Sequence, residues 1–461
     1  MSAAAAPSAV SPTSATLTLA SFVADTQYAH LPASLVTECK IATLDVLAAA
    51  FVGSTMPWAQ CVVEMVHELG GKPEVSVVNQ PWQTDISRAA LANGAMIGAF
   101  ECEPLTGSHA SGTVLPAALA ICQRDHRAGK DFLLAIALGF EVSGRLQKTA
   151  VGLENTRGFH NPGVQGPFGA ASAVGKLLGF DAATMASALG LAGSCAAGLL
   201  EFAWKGDDTK RVHLGRASSM GLESALLAKK GLHGPVTVIE GPYGYFNAFS
   251  EPTDIAKLTD GLGKKWLIQP ASHKAFATHV THQAVVQAIQ DMKREHGFDP
   301  KNITKVSIRG PHRILEDRHC VRDPLTVMGG QYSLPFTAAV TLTRDMSNPL
   351  VYNNAAVNDP LVRSLAKNME LIVDKSIHES HGAIPPAEVT ITCGGNTWKK
   401  TTTPHKGSPL NPLTWTDAVE KFRRYTSTII DAKQANALVD AIADLENQSD
   451  MSQVATLVSK A

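Results

Sequence analysis

Apolar residues recur every third or fourth position through most of the first 270 residues, the period of helices that bury one face. Leu35, Cys39, Ala42, Val46 and Ala49 form such a stripe between Pro32 and Val52, with Gly53 just past its end, and predict a core helix. The same spacing predicts helices over 87–99, with Ser87 as the cap, and over 114–122, 131–144, 168–178, 184–200 and 217–231. After about residue 270 the pattern changes. Residues 306–309, 371–373 and 388–392 carry the β-branched look of strands, as 74–78 does earlier. Gly394-Gly395-Asn396 reads as a hairpin turn into 397–402. Thr414-x-x-Asp417 then resembles a capping box, and helical spacing returns over 419–445. The expected fold is mainly α: a disordered tail over 1–16, a large all-helical domain from 17–267 and 406–461, and a smaller inserted α/β lid domain over 268–405.

Composition narrows the function classes. The chain has 461 residues, 45% hydrophobic and 18% charged, with a formal net charge of −1. That balance carries no basic face for a polyanion, so no nucleic-acid partner is expected. No uninterrupted apolar run reaches membrane-spanning length. The seven cysteines are odd in number and never spaced Cys-x-x-Cys, which argues for reduced thiols, a cytoplasmic location and no cysteine-held cluster. The first basic residue is Lys40, unlike an arginine-rich presequence.

The chemistry-bearing residues group around Gly- and Pro-rich turns. They are His109, His160, Lys210 with His213, and Lys274 with His279 and His282, joined by the paired carboxylates Glu101 and Glu103. Between His160 and Lys210 the chain is dense in Ala, Gly and Ser, which lets helix backbones approach closely and makes a stiff platform. Lysine beside a second cation, and histidine beside a carboxylate, shift in opposite directions, so such a group supplies both acid and base near neutral pH. The set suits proton abstraction next to a carboxylate followed by loss of a neighbouring group. His279-x-x-His282 puts two imidazoles on one helical turn, but no third ligand at telling spacing accompanies them, and no metal is expected. No nucleophile elbow, Walker loop, His-Glu-x-x-His or dinucleotide fingerprint is present.

Several words in this order resemble the MmgE/PrpD family, which includes 2-methylcitrate dehydratases and cis-aconitate decarboxylases. They are His109-Ala110-Ser111-Gly112-Thr113, Arg157-Gly158-Phe159-His160 with Gly166-Pro167-Phe168-Gly169, and Thr209-Lys210-Arg211-Val212-His213. The resemblance implies a homodimer and an interdomain cleft that needs no metal or organic cofactor. It also implies His109, His160, Lys210, Lys274 and His279 as catalytic residues, with Glu101, Glu103, Arg211, His213 and Phe336 contacting substrate. Phe336 is expected where the decarboxylase branch carries a lid tyrosine, and the acidic word is Glu101-Cys102-Glu103-Pro104 in a shortened loop. The expected activity is dehydration of a citrate-like tricarboxylate, with decarboxylation of cis-aconitate or isomerisation of a related acid as alternatives at the same site. A carboxylate-binding homologue without turnover is the alternative of another class.

Overall fold

The computed structural model describes residues 14–377 and 386–460. Residues 1–13 of the expected tail, 378–385 of the expected lid range and Ala461 lie outside the described residues. The last three tail residues are ordered: Ser14 caps the helix Ala15–Asp25, and Thr16 Oγ1 donates to Glu240 Oε2 at 2.6 Å.

The fold is mainly α, as the apolar spacing predicts. The central helix Asn161–Leu177 packs against Thr106–Arg124, Gly129–Thr149, Ala182–Gly193 and Thr209–Lys229. Gly169 sets one of these crossings, and Gly215 sets that of Thr209–Lys229 on Ile86–Ile97. A Cβ on Gly169 would stand 2.7 Å from the Gly139 carbonyl oxygen, and one on Gly215 would stand 2.2 Å from the Leu91 carbonyl oxygen, so no larger residue fits either backbone approach. The helix Ala33–Gly53, within a residue of the expected span, is buried on nearly every side from Ile41 onward, which is why its residues there are apolar all round apart from Thr43 and Asp45.

Several boundaries differ from the sequence reading. Asp85, not Ser87, caps the helix Ile86–Ile97, accepting from the backbone N–H groups of Ser87 and Arg88. The helix expected over 114–122 starts at Thr106, and the one expected over 217–231 at Thr209, because both first turns break the apolar period. The helix expected over 184–200 ends at Gly193, after which Leu199 pairs with Phe159.

A second core lies under a four-stranded sheet, ordered Glu370–Val373, Ile303–Gly310, Glu388–Cys393, Asn396–Thr401. The first pair is parallel and the others antiparallel. Val306, Ile308, Val389 and Ile391 alternate inward onto Val285, Ile289, Leu334 and Leu342 of the helices Gln283–His296 and Leu334–Thr343. Gly394 and Gly395, both at positive φ, form the two-residue hairpin turn read from the sequence. Thr414 and Asp417 form the reciprocal capping box, and the helix it opens packs back onto Ala33–Gly53. The span expected as one helix over 419–445 divides into Trp415–Thr426 and Ala432–Ala443. Among the described residues, no helix is long and apolar enough to cross a membrane.

Candidate active site

His160 stands at the N-cap of the central helix, where its backbone N–H donates to the Gly198 carbonyl at 2.9 Å. Lys210 lies in the first turn of Thr209–Lys229, and His109 near the start of Thr106–Arg124. The crossings set by Gly169 and Gly215 bring these helix ends to one place. Lys274 and His279 arrive from the opposite side, on a loop held by the Gln283 amide, which accepts from the Ala275 and Phe276 N–H groups at 3.0 Å each. Gln331 joins the two sides, its Nε2 donating to the Phe100 and Ala277 carbonyls at 2.9 Å each.

These five groups and Glu101 border one small cavity of about 30 Å3, with Glu154, Arg318, Tyr332 and the apolar Leu105, Leu200 and Val280 completing much of its wall. Glu101 spans both lysines. One of its oxygens contacts Lys210 Nζ and the other lies 2.7 Å from Lys274 Nζ. Glu103 Oε1 lies 3.4 Å from Lys274, 3.5 Å from Lys210 and 2.9 Å from His109 Nδ1. Both lysines and both glutamates are buried. The ammonium charges expected to await substrate carboxylates are thus already met by the protein's own carboxylates. Burial raises the Glu103 carboxyl, but the Lys274 ammonium and His109 outweigh it and hold it below its ordinary range. Burial, with Lys274 and Arg211 nearby, pushes Lys210 well down. Glu101 and His109 share a further feature: both have φ of 57°, the left-handed region that costs a non-glycine residue about 1–2 kcal/mol.

The imidazoles have unlike settings. His160 is buried, and burial together with His213, His109, Lys274 and Arg318 pushes it well below its ordinary value, so the ring is neutral at neutral pH. Its Nδ1 lies 2.9 Å from His213 Nδ1. His279 is neutral for the same kind of reason, burial first and then His319 and His282. His109 instead has a carboxylate on Nδ1, an arrangement that orients the ring and leaves Nε2 for other work.

Four expected substrate contacts are not on the wall. Glu103 lies behind His109. His213 lies behind His160, its own value lowered to about 4 by burial and by Lys210. Arg211 is buried with its guanidinium 4.9 Å from the centre of the Trp58 ring, stacked away from the cavity. Phe336 is fully enclosed in the core, and Tyr332, four residues earlier, borders the cavity with its ring centre 5.5 Å from Lys210 Nζ. A tyrosine therefore stands at this wall after all, reached by the helix Val327–Tyr332 rather than the one that follows.

Sequence reasoning missed the groups that hold the site. Lys421 Nζ donates to the Cys102 carbonyl at 3.0 Å and the Lys274 carbonyl at 2.7 Å, and lies 2.5 Å from Asp45 Oδ1. It pins both segments that carry the glutamates and Lys274. The legible signal was a lysine on the apolar face of its helix, with Ala418, Phe422 and Tyr425 as buried neighbours. Glu154 was also missed, a wall carboxyl raised by burial against the pull of Arg318 and His109.

His273, next to Lys274, is buried between Asp45 at 2.6 Å and Glu38 at 2.8 Å. Burial opposes its charge, but Glu38 and Asp45 outweigh it and raise the ring to about 9. A folded value above the unfolded one, about 6.5, stabilises fully below pH 6.5 and is lost as pH rises through about 9. The group is expected to contribute roughly 3 kcal/mol at pH 6 that is gone by pH 10. Urea unfolding of wild type and His273→Gln at both pH values checks this. An equal fall in stability for the two proteins would show that His273 is not the linked group.

Comparison with known proteins adds to this geometry. Residues 17–258 match the family model described as MmgE/PrpD N-terminal domain, and residues 276–447 the one described as MmgE/PrpD C-terminal domain. The chain is 26% identical to the cis-aconitate decarboxylase-like protein oryM of Aspergillus oryzae, over 96% of this chain and 97% of that one. It is 27% identical to the cis-aconitate decarboxylase of Homo sapiens, over 93% of this chain and 91% of that one. With the cis-aconitate decarboxylase of Aspergillus terreus the identity is 24%, over 93% and 92% of the two chains.

Proposed function

Because this chain belongs to the MmgE/PrpD family, we propose that it is a lyase of citrate-related di- and tricarboxylates, with loss of carbon dioxide from a cis-aconitate-like acid as its first activity. The observation that carries the proposal is the meeting of Lys210 and Lys274 on the two oxygens of Glu101, beside His109, His160 and His279. Two lysines set against carboxylates, with Arg318 at the same wall, give a polyanionic acid several fixed hydrogen-bonding partners. Decarboxylation has a simple balance. A proton is added to one alkene carbon, the electrons of the breaking carbon–carboxylate bond form the new double bond, and carbon dioxide leaves. Leu105, Leu200 and Val280 favour that step by stripping water from the departing carboxylate. The names of the relatives point the same way.

Dehydration of a hydroxy acid is the second reading, favoured by the contrast between His109 and His160. Glu103 behind His109 stabilises an imidazolium formed by proton abstraction, as a buried carboxylate does in a hydrolytic triad. Neutral His160 then serves the leaving hydroxyl as a hydrogen-bond donor.

A cavity of about 30 Å3 holds about one water, an order of magnitude less than a usual ligand pocket. Substrate entry in this proposal separates the 274–280, 318 and 332 side of the wall from the 101–109, 154–160 and 200–210 side. All seven cysteines are free, which agrees with a cytoplasmic location, and no cofactor is invoked. The segments joined by Thr326 Oγ1 to the Gly206 carbonyl expose Trp204 and Leu325, the apolar kind of surface a homodimer buries. Light scattering on the eluting protein tests that part.

The test of the activity is to incubate purified protein with cis-aconitate, citrate and 2-methylcitrate, following released carbon dioxide and alkene absorbance separately. Carbon dioxide from cis-aconitate is the expected result. Alkene formed from either hydroxy acid without gas establishes the second reading instead. No product from any of the three acids, with melting raised by them, leaves a carboxylate-binding protein and overturns both.

A further inference from the structure

Behind the cavity wall a third histidine joins the pair at 279 and 282. His279, His282 and His319 each offer one ring nitrogen, and these nitrogens lie within 4.8 Å of one another. His282 and His319 are fully buried, and the Nε2 atom of each has no hydrogen-bond partner among the described residues. An unpaired buried polar atom costs about 1–3 kcal/mol, so two of them facing one cluster call for a ligand that accepts lone pairs.

The other edge of each ring is held. His319 Nδ1 lies 3.2 Å from the Tyr332 carbonyl, which can only accept, so the ring donates there and Nε2 keeps its lone pair. His282 Nδ1 lies 3.3 Å from Thr278 Oγ1, whose own proton goes to the Gln331 carbonyl at 2.8 Å, and the ring donates again. His279 Nδ1 lies 2.9 Å from Thr281 Oγ1 and accepts from the Thr281 N–H at 3.4 Å, so this ring frees Nε2 only by giving up that long contact and donating to Oγ1 instead. Outer partners of this kind orient imidazoles that bind metals and fix which nitrogen is free.

We propose that His279, His282 and His319 form a binding site for a divalent transition-metal ion of the zinc class. Three imidazoles without a carboxylate exclude calcium and magnesium, which take oxygen ligands, and suit zinc, nickel, copper or cobalt. Metal–nitrogen bonds of about 2.0–2.1 Å bring ligand atoms to about 3.4 Å from one another, so binding draws the rings inward by up to about 1.4 Å. Three protein ligands leave a fourth position. Of the three rings only His279 borders the cavity, so the ion ties that ring and the Tyr332 carbonyl, through His319, to one rigid point beside the site. Neither the site nor its test depends on which acid the enzyme converts.

The test uses full-length protein without a histidine tag, stripped with chelator, returned to zinc chloride and gel-filtered before elemental analysis. Wild type is expected to retain close to one zinc per chain, and His319→Gln at least tenfold less. Cobalt(II) is expected to give the intense visible bands of a tetrahedral nitrogen site in wild type only. Retention of no zinc above buffer level overturns the proposal, and so does equal retention by His319→Gln, which would place the ion elsewhere. Should His319→Gln fail to fold, X-ray absorption on zinc-loaded wild type decides. Three imidazole nitrogens in the first shell support the site, and an oxygen-dominated shell overturns it.

Discussion

Lys210→Met is expected to lower kcat/KM by about a thousandfold and to lower stability at the same time. The rate effect follows from removing a buried ammonium that touches Glu101, stands 3.5 Å from Glu103 and borders the cavity. A cation fixed in a water-poor site stabilises negative charge developing on a reacting acid far better than a mobile one. The stability effect follows from charge balance. Lys210 and Lys274 face Glu101 and Glu103, two basic and two acidic side chains, all buried. Losing one ammonium leaves a carboxylate uncompensated, which in buried pairs costs about 3–5 kcal/mol. The double variant Lys210→Met with Glu101→Gln removes one charge of each sign. It is expected to regain most of the melting temperature and none of the activity, which separates charge placement in the reaction from folding. Ordinary kcat/KM in the single variant removes Lys210 from the site, and recovered turnover in the double variant makes its role purely structural.

His160→Gln is expected to reduce kcat at least a hundredfold, with KM changed by no more than a few fold and folding nearly unaffected. Glutamine keeps a polar side chain of similar reach but cannot gain or lose a proton. The sign of the pH dependence is fixed by the direction of the shift. Burial and the surrounding cations push His160 well below 6.5, so its neutral form persists as pH falls through 6.5, and protonation begins only further down. The acid limb of wild-type kcat/KM is therefore expected below the ordinary imidazole range, and His160→Gln should lose that limb along with the rate. His213→Gln probes the same ring from behind. With Nδ1 facing Nδ1 at 2.9 Å, the two rings share one proton, and which of them donates decides what His160 offers the cavity. A loss confined to KM in His160→Gln would make it a binding group, and an unmoved acid limb would assign that limb to another residue.

The closed cavity connects these two expectations. Its wall is drawn from two sides that meet through Gln331 and the glutamate–lysine contacts. Weakening those contacts changes the opening equilibrium as well as the chemistry, so single-turnover measurements are the sharper readout for both variants.

What could be read along the chain was local. Repeating apolar spacing placed most of the helices, the helix over 32–52 to within a residue, because a buried stripe needs nothing beyond its own period. The Gly394-Gly395 turn and the Thr414–Asp417 box were legible because each is closed by neighbours. Histidines and lysines beside Gly- and Pro-rich turns stood out chemically, and Glu101, His109, His160, Lys210, Lys274 and His279 all reach one cavity. Helix starts at Thr106 and Thr209 were not legible, since their first turns face a site and break the apolar period.

Only the tertiary structure decided the partners. That Glu101 neutralises both lysines, that Lys421 pins Cys102 and Lys274 from 319 and 147 residues away, and that His319 completes a cluster with His279 and His282 are contacts between distant segments. The same holds for Tyr332 standing where Phe336 was expected. Spacing in sequence constrains which face of its own helix a side chain takes, whereas ion pairing falls steeply with distance and is set by how helices cross. Those crossings are governed by backbone approaches such as the one at Gly215.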